Sequence, residues 1–105
     1  MAAKKRTKEK FSRYDSADYL TSEQDIVHYL EAAMENANGN AAVIVNALGV
    51  VARARGMMQL ARATGMTRAG LYRALSADGN PSFATVLKVI DSLGMTLRPR
   101  MARAL

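Results

Sequence analysis

The sequence predicts an all-α domain of five helices, and three observations carry the prediction. Half of the 105 residues are apolar, yet aromatic side chains make up only 6%. Alanine, leucine and methionine dominate instead, which favours helix over sheet. Apolar residues recur at three- and four-residue spacing along the chain, and clusters of Asn, Gly, Pro and Ser interrupt them. Finally, residues 57–76 read as two short helices joined at Gly65, with arginines on the second. That is the spacing of a helix-turn-helix, which lays one helix into the major groove of DNA.

A chain of this length makes one domain with a modest core. We place it at residues 14–98, between a basic N-terminal tail (1–13) and a basic C-terminal tail (99–105). Residues 1–13 carry Lys4, Lys5, Arg6, Lys8, Lys10 and Arg13 against Glu9 alone. So few apolar side chains and so much charge predict disorder. Such a tail either adds sequence-independent DNA affinity or simply keeps the protein soluble.

Thr21 or Ser22 starts the first helix. Thr21 with Gln24, and Ser22 with Asp25, both have capping-box spacing. Ile26, Leu30, Ala33 and Met34 follow at helical spacing, with Tyr29 beside them, and residues 36–40 stop the helix. Asn40 caps a second helix running to about Arg55. Its stripe is Val43, Ala47, Val51 and Ala54, with Ile44, Leu48 and Ala52 alongside. Gly49 at its centre costs up to ~1 kcal/mol relative to alanine, so it marks either close helix packing or a bend. Gly56 ends this helix and stands at the N-cap of the next.

The helix-turn-helix comes next, and its residues have physical reasons. Ala61 stands four residues before Gly65, where a small side chain suits a tight helix crossing. Gly65 can take the left-handed conformation that stops a helix abruptly. Thr67 can cap the following helix. Leu71 and Ala74 share a face and can pack onto Leu60 and Met66, which leaves Arg68, Ala69, Tyr72 and Arg73 on another side. Arg68 and Arg73 can each fork onto a guanine or hold a phosphate, and Ala69 can meet a thymine methyl. A plain helical hairpin with two surface arginines fits this segment too.

Residues 76–82 read as a loop rich in turn formers. Ser82 caps a last helix, Phe83 to about Leu93, with an apolar face of Phe83, Val86, Leu87, Ile90 and Leu93; Gly94 ends it. Met95 to Arg98 alternates apolar and polar. It reads equally as an irregular tail or as one short C-terminal strand, and the strand would need a partner such as the same strand of a second subunit.

Charge is segregated. Residues 14–35 hold Asp15, Asp18, Glu23, Asp25, Glu31 and Glu35 with no Lys or Arg. Residues 36–105 hold nine basic side chains against Asp78 and Asp91. The basic part suits a phosphate backbone. The acidic segment should point away from DNA and can meet a basic protein instead. Such variation along a solvated surface also arises without meaning.

Other function classes find little support. Cysteine is absent, which removes disulfides, thiolate metal sites and cysteine nucleophiles and fits a reducing cytoplasm. His28 is the single histidine and has no ligand-spaced partner, so it reads as a surface residue and not as a metal ligand. No paired carboxylates in an apolar context and no phosphate-cradling glycine loop are present, so an enzyme is not expected, nor a cofactor. No stretch is long and apolar enough for a membrane span, and no apolar run follows the basic N-terminus as a secretory signal requires.

Residues 56–97 resemble an Xre-type helix-turn-helix domain, which implies a lambda-repressor-like fold. The phrase at residues 74–90, Ala-Leu-Ser-Ala-Asp-Gly-Asn-Pro-Ser-Phe-Ala-Thr-Val-Leu-Lys-Val-Ile, is similar to the probable addiction-module antidote family, the HigA-like antitoxins. Asp18-Tyr-Leu20, Asp25-Ile-Val-His-Tyr-Leu30, Arg53-Ala-Arg-Gly-Met57 and Gly65-Met-Thr-Arg68 fit that family too. The resemblance covers roughly residues 15–98. It implies an antitoxin that neutralises a small basic toxin of the RelE/ParE/HigB type and, as a homodimer, represses its own operon by binding double-stranded operator DNA.

Carried over by position, Thr67, Arg68, Ala69, Tyr72 and Arg73 would face the major groove, with Gln59 and Ser82 near phosphates. Asp15, Asp18, Tyr19, Glu23 and Asp25 are the candidate toxin-facing residues. Met58 departs from the polar residue often found at its place and offers no phosphate hydrogen bond. A stand-alone regulator without a toxin, or a purely protein-binding bundle, fits the same helical pattern.

Overall fold

A computed structural model describes residues 16–101. The expected disorder of residues 1–13, the candidate Asp15 and the end of the C-terminal tail lie outside the described residues. Within them the chain forms a 3-10 turn, Ser16–Tyr19, and five α-helices: α1 (Glu23–Asn36), α2 (Ala41–Arg55), α3 (Met57–Thr64), α4 (Arg68–Ala74) and α5 (Phe83–Ser92). There is no strand among the described residues.

Local capping chemistry sets most boundaries. Of the two capping boxes that the sequence offers α1, Ser22 with Asp25 forms. The Asp25 N–H donates to Ser22 Oγ at 3.1 Å, and the Ser22 N–H donates back to Asp25 Oδ2 at 3.2 Å. Thr21 joins from outside, its N–H and hydroxyl both donating to the same Oδ2 at 3.2 Å. Asn40 caps α2 by accepting from the Ala42 N–H at 3.0 Å. Each cap satisfies helix donors that no carbonyl can reach.

α2 is the axis of the fold. Six consecutive residues, Ala47 to Ala52, are buried, so its middle is enclosed on all sides rather than along one stripe. α1, α3 and the 3-10 turn all pack on it. The chain then bends by 110° at Gly56 into α3, which contacts both α4 and α5. The core joins Ile26 and Leu30 of α1, Leu48 and Val51 of α2, Leu60 of α3, Leu71 and Leu75 around α4, and Val89, Ile90 and Leu93 around α5. No single helix among the described residues is long and apolar enough to cross a membrane.

Two expectations need correction. Residues 95–101 form no strand. A strand needs a neighbour to pair with, and the described residues provide none; Met95 instead packs its side chain on the core. The face of α5 is also rotated from the expected one. Val86, Val89, Ile90 and Leu93 turn inward, with Val89 fully buried, whereas Phe83 is 65% and Leu87 41% exposed. At 3.6 residues per turn, Leu87 lies roughly 110° and Phe83 roughly 70° from the middle of the inward stripe.

Candidate nucleic-acid interface

The α3–α4 unit is held by short-range chemistry. Gly65 closes α3 at φ 75°, a left-handed conformation that side chains resist. The Met66 N–H then reaches back to the Ala61 carbonyl at 3.0 Å, as helix-terminating glycine motifs do. Ala61 is buried in the core. Thr64 is buried as well, and its hydroxyl donates to the carbonyls of Leu60 at 2.9 Å and Ala61 at 3.0 Å. The helix itself thus satisfies a polar group that would be costly to bury unpaired.

α4 begins at Thr67, whose Oγ1 accepts from the Gly70 N–H at 2.9 Å. A β-carbon on Gly70 would lie 2.9 Å from that same oxygen, so the missing side chain keeps the cap open. Leu71, fully buried, anchors the helix, and Leu75 seals its end. Seven residues then divide cleanly. Leu71 points into the core, Gly70 and Ala74 are half-buried, and Arg68, Ala69, Tyr72 and Arg73 are all exposed. Tyr72 leaves 59% of its surface open. Four of the five residues expected to face a groove therefore share the outward side of one anchored helix, and the fifth, Thr67, is exposed at its N-cap.

The flanking candidates stand on neighbouring helices. Gln59 is exposed on α3, which contacts α4. Ser82 is exposed and caps α5: its Oγ accepts from the Thr85 N–H at 3.1 Å and approaches Thr85 Oγ1 at the same distance. A phosphate contact by Ser82 would share this hydroxyl with the cap. Met58 is exposed beside Gln59. α2 adds residues that the motif does not include. Asn46 and Arg53 line a groove of about 160 Å³ with Tyr72 and Ser76. Nothing in their spacing places them beside α4, because that depends on how α2 crosses the unit.

The acidic candidates gather elsewhere in the chain. Asp18 and Tyr19 are exposed on the 3-10 turn that packs against α2, and Glu23 is exposed in the first turn of α1. Asp25 is spent on the cap. The Thr21 backbone N–H, the Ser22 hydroxyl and further hydrogen bonds hold its carboxyl below the usual carboxylate range. A partner would meet it as a fixed negative charge with its oxygen already engaged. His28 is exposed. No group of three or more His, Asp or Glu side chains gathers in metal-ligating fashion among the described residues.

These features define a class: a small all-α domain that offers an anchored, arginine-bearing helix on its surface. The chain belongs to the family described as probable addiction module antidote protein, which matches residues 10–101. An uncharacterized protein of Haemophilus influenzae (strain ATCC 51907 / DSM 11121 / KW20 / Rd) is 44% identical over 95 residues, covering 90% of this chain and 96% of that protein. No solved structure matches the chain. Membership in an antidote family implies a toxin–antitoxin role and, in general, a toxin partner.

Proposed function

We propose that this chain is a HigA-like antitoxin with an Xre-type, lambda-repressor-like domain. As a cytoplasmic homodimer it binds the operator of its own operon through α4, and it neutralises a small basic RelE/HigB-like toxin. It carries out no catalytic step. The observation that carries the DNA-binding part is the division of α4. Leu71 and the Thr67 cap fix the helix, while Arg68, Ala69, Tyr72 and Arg73 all stand outward. Small residues at positions 69 and 70 let such a helix approach base edges closely, and paired arginines serve guanines and phosphates. The net charge of +6 supports attraction to a polyanion.

The toxin part rests on the family and on the acidic side chains around the start of α1, Asp18, Glu23 and Asp25, which suit a basic partner. The family favours this reading over a stand-alone regulator.

Gel shift with the DNA upstream of the gene tests the first part. Binding should fall steeply with rising salt, because phosphate contacts release counterions. Arg68→Ala with Arg73→Ala should abolish specific binding while the helical circular dichroism stays unchanged. An intact operator affinity in that double variant would overturn the assignment of α4. Co-expression with the adjacent gene, pull-down and growth rescue test the second part.

A further inference from the structure

The C-terminal segment after α5 runs beside α1, and between them lie two grooves that share Glu31, Met34 and Arg98. One, of about 270 Å³, is floored by apolar side chains including Val27, Leu30 and Leu97. The other, of about 450 Å³, has Glu31 and Glu35 on its α1 wall and Arg98 and Arg100 on the opposite wall. No ion pair joins these acids to these arginines, although all four line one groove. Beyond Met95, no backbone hydrogen bond is made by residues 96–101 among the described residues. Val27 and Leu97 are exposed apolar side chains in this patch, and Met101 adds another at its end.

A partner of one charge sign is repelled by one wall of this groove. Nucleic acid is repelled by the glutamates, and a purely basic segment by the arginines. A surface that matches must carry acid opposite Arg98 and Arg100, base opposite Glu31 and Glu35, and apolar groups between. The patch itself has that order when rotated by a two-fold axis, which is what an isologous dimer contact requires.

We propose that the groove between α1 and residues 95–101 is the surface through which two copies of this chain pair. Arg98 and Arg100 of each copy then face Glu31 and Glu35 of the other, and the Val27–Leu97 region is covered. This rests on the dimeric reading above but not on DNA binding. It also leaves the outward face of α4 out of the contact.

Charge reversal tests it on the full chain by sedimentation equilibrium at tens of micromolar. The wild type should have the mass of a dimer. Glu31→Arg with Glu35→Arg should weaken the dimer at least about tenfold, and Arg98→Glu with Arg100→Glu should do the same, because like charges then meet across the axis. Mixing the two variants should restore a dimer of one copy of each, as every facing pair becomes attractive again. That rescue also shows that both variants are folded. A monomeric wild type, or one that pairs only with an unrelated protein, overturns the proposal together with the dimeric reading. A dimer unaffected by either reversal overturns this surface alone, and operator binding measured separately reports on α4.

Discussion

Gly49 in the middle of α2 lies directly against the backbone of Leu75, the residue that caps the end of α4. A β-carbon built on Gly49 would sit 2.7 Å from the Leu75 carbonyl oxygen. Backbone, unlike a flexible side-chain tip, gives way only by moving a whole element. Gly49→Ala should therefore destabilise the fold by about 1–3 kcal/mol despite the better helix propensity of alanine. Thermal unfolding followed at 222 nm should show a melting temperature several degrees lower. An unchanged or raised melting temperature would mean that α4 and α2 separate freely at this point.

The N-cap of α4 is the next sensitive point. Thr67→Ala removes the acceptor for the Gly70 N–H and should cost about 1 kcal/mol. Thr67→Ser keeps the hydroxyl and should cost much less. Gly70→Ala should also loosen the cap, since its new carbon crowds the Thr67 oxygen. Combined with Thr67→Ala, it should then add less than it costs alone, because the crowded atom is gone. Strict additivity of the two would remove the steric link between them.

Much of this was legible in the letters themselves, and what was legible is local. Caps at Ser22, Asn40, Thr67 and Ser82 depend on side chains two or three residues from the amides they serve, so spacing reveals them. The reason for Gly49 depends on Leu75, distant along the chain, and periodicity could only say that a small residue there meant packing or a bend. Thr64 gives no such signal, because a polar side chain can sit in the core when its own helix satisfies it. Likewise, the outward side of α4 followed from Leu71, whereas Asn46 and Arg53 became its neighbours only through the bend at Gly56.

Acid should weaken the start of α1 in a defined direction. Hydrogen bonds from Thr21 and Ser22 lower the pKa of Asp25 from its ordinary value of 3.8. A carboxylate with a depressed folded pKa contributes stability in full above its unfolded pKa, and that contribution is lost as pH falls through the folded value. The melting temperature of the wild type should exceed that of Asp25→Asn at neutral pH. The gap should close as pH drops below about 3.8. A gap that does not narrow as the pH is lowered would show that the carboxylate charge is not what stabilises the cap.

The rotated face of α5 makes the last prediction, because pattern and packing disagree there. Phe83 and Leu87 fit a helical apolar stripe, yet Phe83 is mostly exposed and Leu87 partly so, while Val89 is fully buried. Phe83→Ser and Leu87→Ser should each cost less than Val89→Ala, on the order of 1 kcal/mol or below, because much of each side chain already lies in water. Val89→Ala should cost on the order of 1–3 kcal/mol by losing buried methyl groups and leaving a void. Leu71→Ala, at a fully buried site beneath the candidate recognition helix, should cost about 2–5 kcal/mol. Urea unfolding of the four variants ranks them. If Phe83→Ser proved as costly as Val89→Ala, α5 would have to be turned back towards the face that its apolar letters first suggested.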